Sequence, residues 1–530
     1  MKQTEPAHLR ELLEARAASA PDRVFLFSES DGRRFTYREF DAAVNRTANV
    51  LAARHGVGRG DVVSLLLPNS AEYVIAYFAC FKLGALAGPV NSLLKPEEIA
   101  YIVGNSEAKL LLVNSEFMPK VERLREEATA LREVVEFDDY EKAAAGFGAE
   151  VDSGMDALKG LPSNALTRDD EAIIIYTSGT TGRPKGCLLT HGNLIANARQ
   201  IAGWLGFTED DRLLTIMPLF HMNAVSVTTA SALYAGGSTV VSPRFSASRF
   251  WQIISDYQIT SFGSVATMLS MLLATYPEGV PAGLDTSRLR FAMCGSAPVP
   301  AEVMRRFEET FGCPVVEGYG LSESTCRSTF NPPDKRRRPG SCGLPIGNEM
   351  MVVDEEDREL PAGEAGEIVL RGENIFKGYF KNEEATARAF RGGWFHTGDV
   401  GYRDPEGFFY IVDRKSDMII RGGENIYPRE IDELLYKHPA VAEAAAIGVP
   451  DKLYGEEVAA FVVLKEGKTA SADEIIEHCR EHLADYKCPK TVRVVESLPK
   501  GPTGKVLKRE LQQRMKSEGK TGRPGGGETG

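Results

Sequence analysis

Segments with the spacing of amphipathic helices alternate along this chain with short apolar runs, and this alternation restricts its fold more than any other feature. Clear examples are the predicted helices 6–18, 37–55 and 301–311 and the predicted strands 62–66, 110–113, 173–176 and 213–217. Continuous apolar runs are typical of strands that are buried on both faces, and the helices between them supply crossovers. The sequence therefore predicts an α/β fold whose large N-terminal domain has mixed or parallel sheets wrapped by helices.

The texture of the sequence changes near residue 413, where a predicted strand is followed by a charged, polar break. Beyond this break the pattern predicts helices and strands over 428–437, 444–449, 458–464 and 472–483. About a hundred residues are enough for a small domain. We therefore expect an N-terminal domain over 1–413, a small mobile α+β domain over 414–515, and a glycine-rich, charged and disordered tail over 516–530.

Charge and cysteine content exclude several classes of protein. The formal net charge of −12 argues against general nucleic-acid binding, which needs a concentrated basic surface. Eight cysteines without a CxxC pair indicate reduced thiols, as in a cytoplasmic protein. The most apolar stretch, 73–90, contains Lys82 and predicts a buried helix and turn instead of a membrane span. The N-terminus has no apolar signal segment, and no pattern predicts an oligomeric state.

The segment 176–186, YTSGTTGRPKG, directly follows a predicted buried strand and is the strongest single indication of function. Glycines let backbone N–H groups turn toward a phosphate, hydroxyls add donors, and the lysine adds positive charge. Its spacing differs from GxxxxGK[ST], so it is not a Walker A loop. The segment predicts a polyphosphate site formed by Thr177, Ser178, Gly179, Thr180, Thr181, Gly182 and Lys185.

This segment closely resembles the phosphate loop of the adenylate-forming, or AMP-binding, superfamily, which contains acyl-CoA synthetases, peptide-synthetase adenylation domains and beetle luciferases. The resemblance extends from about residue 10 to 512, in the family's order and spacing. The further motifs are GSAP at 295–298, GYGLSES at 318–324, WFHTGD at 394–399, RGGENIYP at 421–428 and PKGPTGK at 499–505.

The resemblance implies a role for each matching residue of the nucleotide site. Tyr319 would stack on adenine, Glu323 and Thr177 would bind Mg²⁺, and Asp399 and Arg414 would contact the ribose. An aromatic face suits a purine, and a hard carboxylate oxygen suits magnesium. A salt bridge at the hinge is the alternative role for Arg414. The other nucleotide-site residues implied by the family are Ser296, Ala297, Glu317, Gly318, Gly320 and Ser322.

The resemblance also implies residues for catalysis and for the two organic substrates. Lys505 is the candidate catalytic lysine at the α-phosphate, Gly423 would leave room for coenzyme A, and Ser416 aligns with the family's hinge residue. His221, in PLFHMNA, is a candidate gating aromatic near the reacting groups, although a buried structural histidine is an equal alternative. The acyl pocket is expected to include Asn223, Ser264, Val265, Ala266, Gly320 and Ser324.

Together the motifs imply an ATP-dependent acid:CoA ligase that uses ATP, Mg²⁺ and coenzyme A. A carboxylic acid would first form an acyl-adenylate with release of pyrophosphate, and the CoA thiol would then expel AMP. The alternative is an adenylating enzyme that loads a separate carrier protein. Residues 334–343 and 246–251 most resemble crotonobetaine/carnitine-CoA ligases. Betaines, fatty acids and aryl acids all remain possible substrates at this point.

Overall fold

The fold is seen in a computed structural model that describes residues 5–122, 124, 128–141, 165–177, 183–295, 299–414, 417–422, 424–501 and 506–521. Its α-helices are α1 (Leu9–Ser19), α2 (Tyr37–His55), α3 (Ala71–Leu83), α4 (Pro96–Asn105), α5 (His191–Leu205), α6 (Ser231–Ala235), α7 (Ala247–Asp256), α8 (Ala266–Thr275), α9 (Ala301–Phe311), α10 (Glu383–Ala389), α11 (Pro428–Lys437), α12 (Ala472–Arg480) and α13 (Lys508–Thr521). A π-helix, Asn223–Ala230, runs directly into α6.

The strands of the first three hundred residues are β1 (Val24–Ser28), β2 (Arg34–Thr36), β3 (Val62–Leu66), β4 (Leu86–Pro89), β5 (Leu110–Val113), β6 (Glu133–Glu136), β7 (Glu171–Thr177), β8 (Lys185–Thr190), β9 (Arg212–Thr215), β10 (Ser238–Val241), β11 (Ser261–Ser264) and β12 (Phe291–Cys294). The later strands are β13 (Val315–Glu317), β14 (Thr329–Phe330), β15 (Leu344–Pro345), β16 (Glu349–Val353), β17 (Gly366–Arg371), β18 (Gly378–Tyr379), β19 (Phe390–Arg391), β20 (Trp394–Arg403), β21 (Phe409–Arg414), β22 (Ile419–Arg421), β23 (Glu424–Ile426), β24 (Val441–Asp451), β25 (Gly455–Leu464) and β26 (Thr491–Val494).

Two seven-stranded sheets organise the N-terminal part of the chain. One has the strand order β13-β12-β11-β9-β10-β1-β2 and the other β18-β8-β7-β4-β3-β5-β6. Most neighbours within them are parallel, whereas β1–β2, β7–β8 and β8–β18 are antiparallel pairs. The central strands are buried along their whole length, which explains their uninterrupted apolar sequences. The predicted α/β class with mixed sheets is confirmed.

The described residues also form three smaller sheets, of which one is the antiparallel pair β14–β15. The strands β16, β17, β20, β19 and β21 form an antiparallel sheet that ends at Arg414. Beyond residue 416, the sheet β23-β22-β25-β24, with β26 beside β25, packs against α11 and α12 around its own apolar cluster. The last helix, α13, continues to Thr521, so residues 516–521 are helical although we expected them in the disordered tail. Buried Leu511 anchors the helix, and each further residue costs little once a helix is nucleated.

The apolar stretch 73–90 forms α3 and β4. Every residue of α3 is buried, including Lys82, whose Nζ contacts Asp41 and Asn45 at 2.5 and 2.6 Å. No helix in the described part of the chain is both long and apolar enough to cross a membrane.

Candidate functional site

The predicted phosphate loop connects two strands of one sheet. β7 and β8 pair antiparallel, with Thr177 opposite Lys185, so both ends of the segment belong to strands. Five predicted loop residues lie outside the described residues: Ser178, Gly179, Thr180, Thr181 and Gly182. The pairing holds Thr177 and Lys185 side by side, where β7 ends and β8 begins.

The carboxylate of Glu323 lies beside these two strand ends. Thr177 Oγ1 is 3.4 Å from Glu323 Oε1, and the Tyr379 hydroxyl donates to the same oxygen at 3.1 Å. Lys185 Nζ lies 4.9 Å from the centre of the Tyr379 ring. Burial raises the pKa of Glu323 above its ordinary value. Three oxygen-bearing side chains, from β7, β18 and the turn after Leu321, thus form a compact group beside the ammonium of Lys185 in β8.

A second cluster surrounds Asp399. The Tyr319 hydroxyl donates to Asp399 Oδ2 at 2.6 Å, and Arg414 Nε lies 3.2 Å from Oδ1. Asp399 and Arg414 are directly opposite each other in β20 and β21. Arg414 therefore forms a salt bridge, the alternative role expected for it. Its partner, Asp399, is the other residue predicted to contact the ribose. Ring, carboxylate and guanidinium meet from three separate segments of the chain.

The chain leading to Tyr319 is closely packed. Glu317 ends β13; one of its carboxylate oxygens accepts from the Val299 N–H at 3.3 Å, and burial raises its pKa to about 7. Gly320 cannot be larger, because a Cβ there would lie 2.0 Å from the Cys326 carbonyl oxygen. Gly318 lines the same cavity as Tyr319, and Ser322 is half-buried. Ser296 and Ala297 lie outside the described residues.

A cavity of about 260 Å³ opens between the N-terminal part of the chain and the small C-terminal sheet. Tyr319, Asp399 and Arg414 line it from one side, and Arg429 and Lys508 from the other. Asp432 pairs with Lys508 at 3.0 Å. The cavity therefore has walls from both predicted domains and carries charges of both signs.

Three candidate residues of the small domain, Ser416, Gly423 and Lys505, lie outside the described residues. The structure does describe residues beside Gly423 and Lys505. Arg421 in β22 pairs antiparallel with Glu424 in β23. Lys500 and Val506 form a β-bridge, and both line the cavity.

The candidate acyl-pocket residues divide into two groups. The Nε2 atom of His221 and both amide atoms of Asn223 are buried without a hydrogen-bond partner among the described residues, and burial lowers the pKa of His221 to about 4. Ser264 and Ser324 instead donate to backbone carbonyls of Met293 and Leu321. Val265 is buried before α8, and Ala266 lines the cavity, as does Gly320.

Sequence reasoning missed Tyr379, which contacts both Glu323 and Lys185. It lies in the short strand β18, which pairs with β8, and nothing in the segment FKGYF marks that pairing. Arg429 was also missed: its backbone N–H donates to Asp413 Oδ2 at 3.0 Å and its guanidinium donates to the Ile411 carbonyl. Only the folded chain brings these residues to the site.

Comparison with known proteins gives the same family over the whole chain. Residues 13–380 match the family model described as AMP-binding enzyme, and 430–505 match the AMP-binding enzyme C-terminal domain. The sulfoacetate–CoA ligase of Cupriavidus necator is 38% identical over 95% of this chain and 97% of its own length. The oxalate–CoA ligase of Arabidopsis thaliana is 35% identical, covering 95% and 98%. The crotonobetaine/carnitine–CoA ligase of Escherichia coli is 34% identical, covering 95% and 99%, which confirms that resemblance.

Solved structures agree. ATP-bound MatB from Rhodopseudomonas palustris superposes with a TM-score of 0.87 at 32% identity, covering 96% of this chain and 99% of that one. The anthranilate CoA ligase AuaEII in complex with anthranoyl-AMP gives a TM-score of 0.87 at 31% identity, covering 98% and 99%. The chain therefore belongs to the AMP-binding enzyme family and, within it, to the AMP-forming acid–CoA ligases.

Proposed function

We propose that the two clusters around Glu323 and Asp399 form one ATP site. The Tyr319 ring would lie against adenine, Asp399 and Arg414 would bind the ribose hydroxyls, and Thr177 and Lys185 would face the phosphates. The observation that carries this proposal is the meeting of Tyr319, Asp399 and Arg414 at the cavity wall. The two clusters are close enough to interact electrostatically. The charge of Arg414 lowers the pKa of Glu323, whereas burial, the larger effect, raises it.

The oxygen donors beside the phosphate loop suit a magnesium ion. Glu323 supplies a carboxylate and Thr177 a hydroxyl, 3.4 Å apart, and hard oxygen ligands are those that Mg²⁺ prefers. When bound, the ion would neutralise phosphate charge. The Tyr379 hydroxyl orients the Glu323 carboxylate by donating to Oε1.

Lys505 would act on the first half-reaction. Negative charge builds up at the α-phosphate when a carboxylate attacks it, and an ammonium held there in a dry site stabilises the transition state more than the ground state. Its neighbours Lys500 and Val506 line the cavity, which supports this role. No side chain is needed as a covalent nucleophile, because the carboxylate of the substrate attacks phosphorus directly.

The second half-reaction would follow rotation of the small domain. We place the domain boundary at 413/414, with Ser416 as the hinge residue. The interval between the two family matches, 381–429, contains this boundary and supports it. Rotation would withdraw Lys505 and bring the Gly423 hairpin, with its space for the pantetheine arm, to the acyl-adenylate.

Coenzyme A is the acceptor that we propose. The relatives described above are named CoA ligases, and the alternative of a separate carrier protein gains no support from them. Their names cover different acids, so the acid is a separate question. The eight cysteines are buried and unpaired, which is consistent with a reducing compartment; a cytoplasmic location stays a prediction.

Two substitutions at Tyr319 test the ATP site, with acid-dependent ATP–pyrophosphate exchange as the readout. Tyr319→Ala removes the ring and should raise the KM for ATP about 10- to 100-fold, since stacking on a base contributes about 1–3 kcal/mol. Tyr319→Phe keeps the ring, loses only the bond to Asp399, and should raise KM less than about tenfold. Equal effects of the two substitutions would show that the Tyr319 ring does not stack on adenine. Absence of exchange with every acid tried would contradict the ligase itself.

A further inference from the structure

Arg327 is a buried arginine held in place by its backbone. Its residue is 1% exposed, four positions after Glu323. The Arg327 carbonyl accepts from Asn197 Nδ2 at 2.7 Å and from Asn374 Nδ2 at 3.3 Å, and its N–H donates to Asn197 Oδ1 at 3.4 Å. Asn197 also accepts from Ser226 in the π-helix. These hydrogen bonds hold the Arg327 backbone in place inside the protein, so the start of its side chain is fixed.

In the part of the chain that the structure describes, the guanidinium of Arg327 has no anionic partner. Within the described ranges no carboxylate forms an ion pair with it, and its Nε and Nη2 atoms, both buried, have no hydrogen-bond acceptor. The guanidinium carbon lies 5.5 Å from the centre of the Phe330 ring. By contrast, the ammonium of Lys82, whose residue is equally buried, contacts Asp41 and Asn45. An uncompensated buried charge is strongly unfavourable, so this one is explained best by a ligand.

The position of Arg327 connects it with the candidate acyl pocket. A Cβ on Gly295 would lie 2.6 Å from Arg327 Nη2, so glycine at the end of β12 leaves room for the guanidinium. Cys294, the preceding residue, is the register partner of Ser264 in β11. A Cβ on Gly263, next to Ser264, would lie 2.8 Å from the Asn223 amide oxygen. Arg327 and Asn223 thus flank the carboxyl ends of the same two strands.

The unpaired polar atoms near the candidate acyl pocket are mainly hydrogen-bond donors. Besides Arg327 Nε and Nη2, which can only donate, the buried unpaired atoms there are both amide atoms of Asn223 and the Nε2 of His221. Because burial lowers the pKa of His221 to about 4, this ring is neutral at pH 7 and Arg327 supplies the positive charge. A quaternary ammonium group would meet this charge unfavourably, and an alkyl chain would leave the N–H groups of Arg327 and Asn223 unpaired.

We propose that Arg327 binds a second anionic group of the substrate, so that the enzyme's acid is a short dianion: a carboxylic acid that carries another carboxylate or a sulfonate. One carboxylate reacts at the α-phosphate, and the distal anion pairs with the guanidinium. This inference rests on the proposed function, because it uses the same adenylation step and gives its substrate a chemical class. Arg327 acts by binding and specificity and takes no part in the transfer of atoms.

The test compares acids of equal size that differ in distal charge. Malonate, succinate and sulfoacetate are assayed against malonamate, succinamate and butanoate by ATP–pyrophosphate exchange with the full chain. The dianions should have kcat/KM values at least about tenfold higher, since a site built for a polar group rejects analogues that lack it. The carboxylate and sulfonate arms distinguish the two sources of distal charge. Equal or better use of the monoanions, or of crotonobetaine, would overturn the assignment.

Substitutions identify the residue responsible. Arg327→Met should lower kcat/KM for the preferred dianion about 100-fold and abolish the preference over the monoamide, whereas Arg327→Lys should keep part of it. Arg337→Met removes another largely buried arginine, which pairs with Glu308, and should leave the preference unchanged. A preference that survives Arg327→Met contradicts the proposal. If that variant does not fold, the wild-type acid series and Arg327→Lys decide. Exchange with no acid at all fails the ligase proposal, whereas exchange with monoanions alone fails only this one.

Discussion

Glu317 is an acid that the fold keeps away from water. It ends β13 with 3% of its surface exposed, one oxygen accepts from the Val299 N–H, and Oε2 has no partner among the described residues. Burial is the main cause that raises its pKa from 4.5 to about 7, although the charge of Arg429 acts in the opposite direction. The carboxyl is therefore half-protonated near neutral pH at the edge of the cavity.

Glu317→Gln should change how stability depends on pH. A carboxyl whose pKa is higher in the folded state costs stability once it ionises, so the wild type should weaken between about pH 4.5 and 7 and change no further above that. The shift corresponds to about 3 kcal/mol of unfolding free energy. The neutral glutamine lacks this loss. Urea unfolding of both proteins at pH 4.5, 6 and 8 should show the variant gaining relative stability as pH rises; a constant difference would contradict the assignment.

At the scale of elements, one lysine holds three helices together. Lys82, at the end of α3, contacts Asp41 and Asn45 on α2 at 2.5 and 2.6 Å and Glu14 on α1 at 3.4 Å. The lysine is 1% exposed, so its charge depends on these partners. Its position also explains why an otherwise apolar stretch contains a lysine.

Removing the carboxylate should destabilise the N-terminal helices. Asp41→Ala leaves the buried ammonium with fewer partners and is expected to lower the unfolding free energy by about 3 kcal/mol. Asp22→Ala is the matched control, because Asp22 pairs with Arg38 at an exposed site and should change little. Thermal or urea unfolding followed by circular dichroism measures both, and equal losses would show that the buried pair is unimportant.

At the scale of the whole molecule, the cavity depends on two sheets that are far apart in sequence. Asp399 and Arg414 come from the sheet that precedes the proposed hinge, whereas Lys500 and Lys508 follow the small sheet. A site divided in this way can be assembled and dismantled by moving one body. The two half-reactions should therefore be separable by substitution.

Lys505→Ala should separate them. Loss of the ammonium at the α-phosphate is expected to slow adenylate formation about 100- to 1000-fold, measured as ATP–pyrophosphate exchange. Thioester formation from a supplied acyl-adenylate and coenzyme A should stay within a few-fold of wild type, because the lysine is absent from that step. Lys490→Ala, an exposed lysine of the same domain, is the control. Near-normal exchange by Lys505→Ala would exclude the assigned role.

The sequence by itself determined the class of fold and the family, and it predicted the residues of the nucleotide site. Apolar runs predicted buried strands because a parallel sheet covered by helices has no polar face, and β3 and β5 have the predicted bounds. Tyr319, Glu323 and Asp399 were predicted from the resemblance of their short motifs to those of the family, and their residue types suit purine, magnesium and diol chemistry.

Only the tertiary structure decided which side chains meet across the chain. The contact of Tyr379 with Glu323 depends on the pairing of β18 with β8, and the isolation of Arg327 depends on which carboxylates are absent around it in the described structure. A local motif carries the chemistry of its own residues. The partners of a side chain, and the lack of a partner, follow from packing between segments that are distant in sequence.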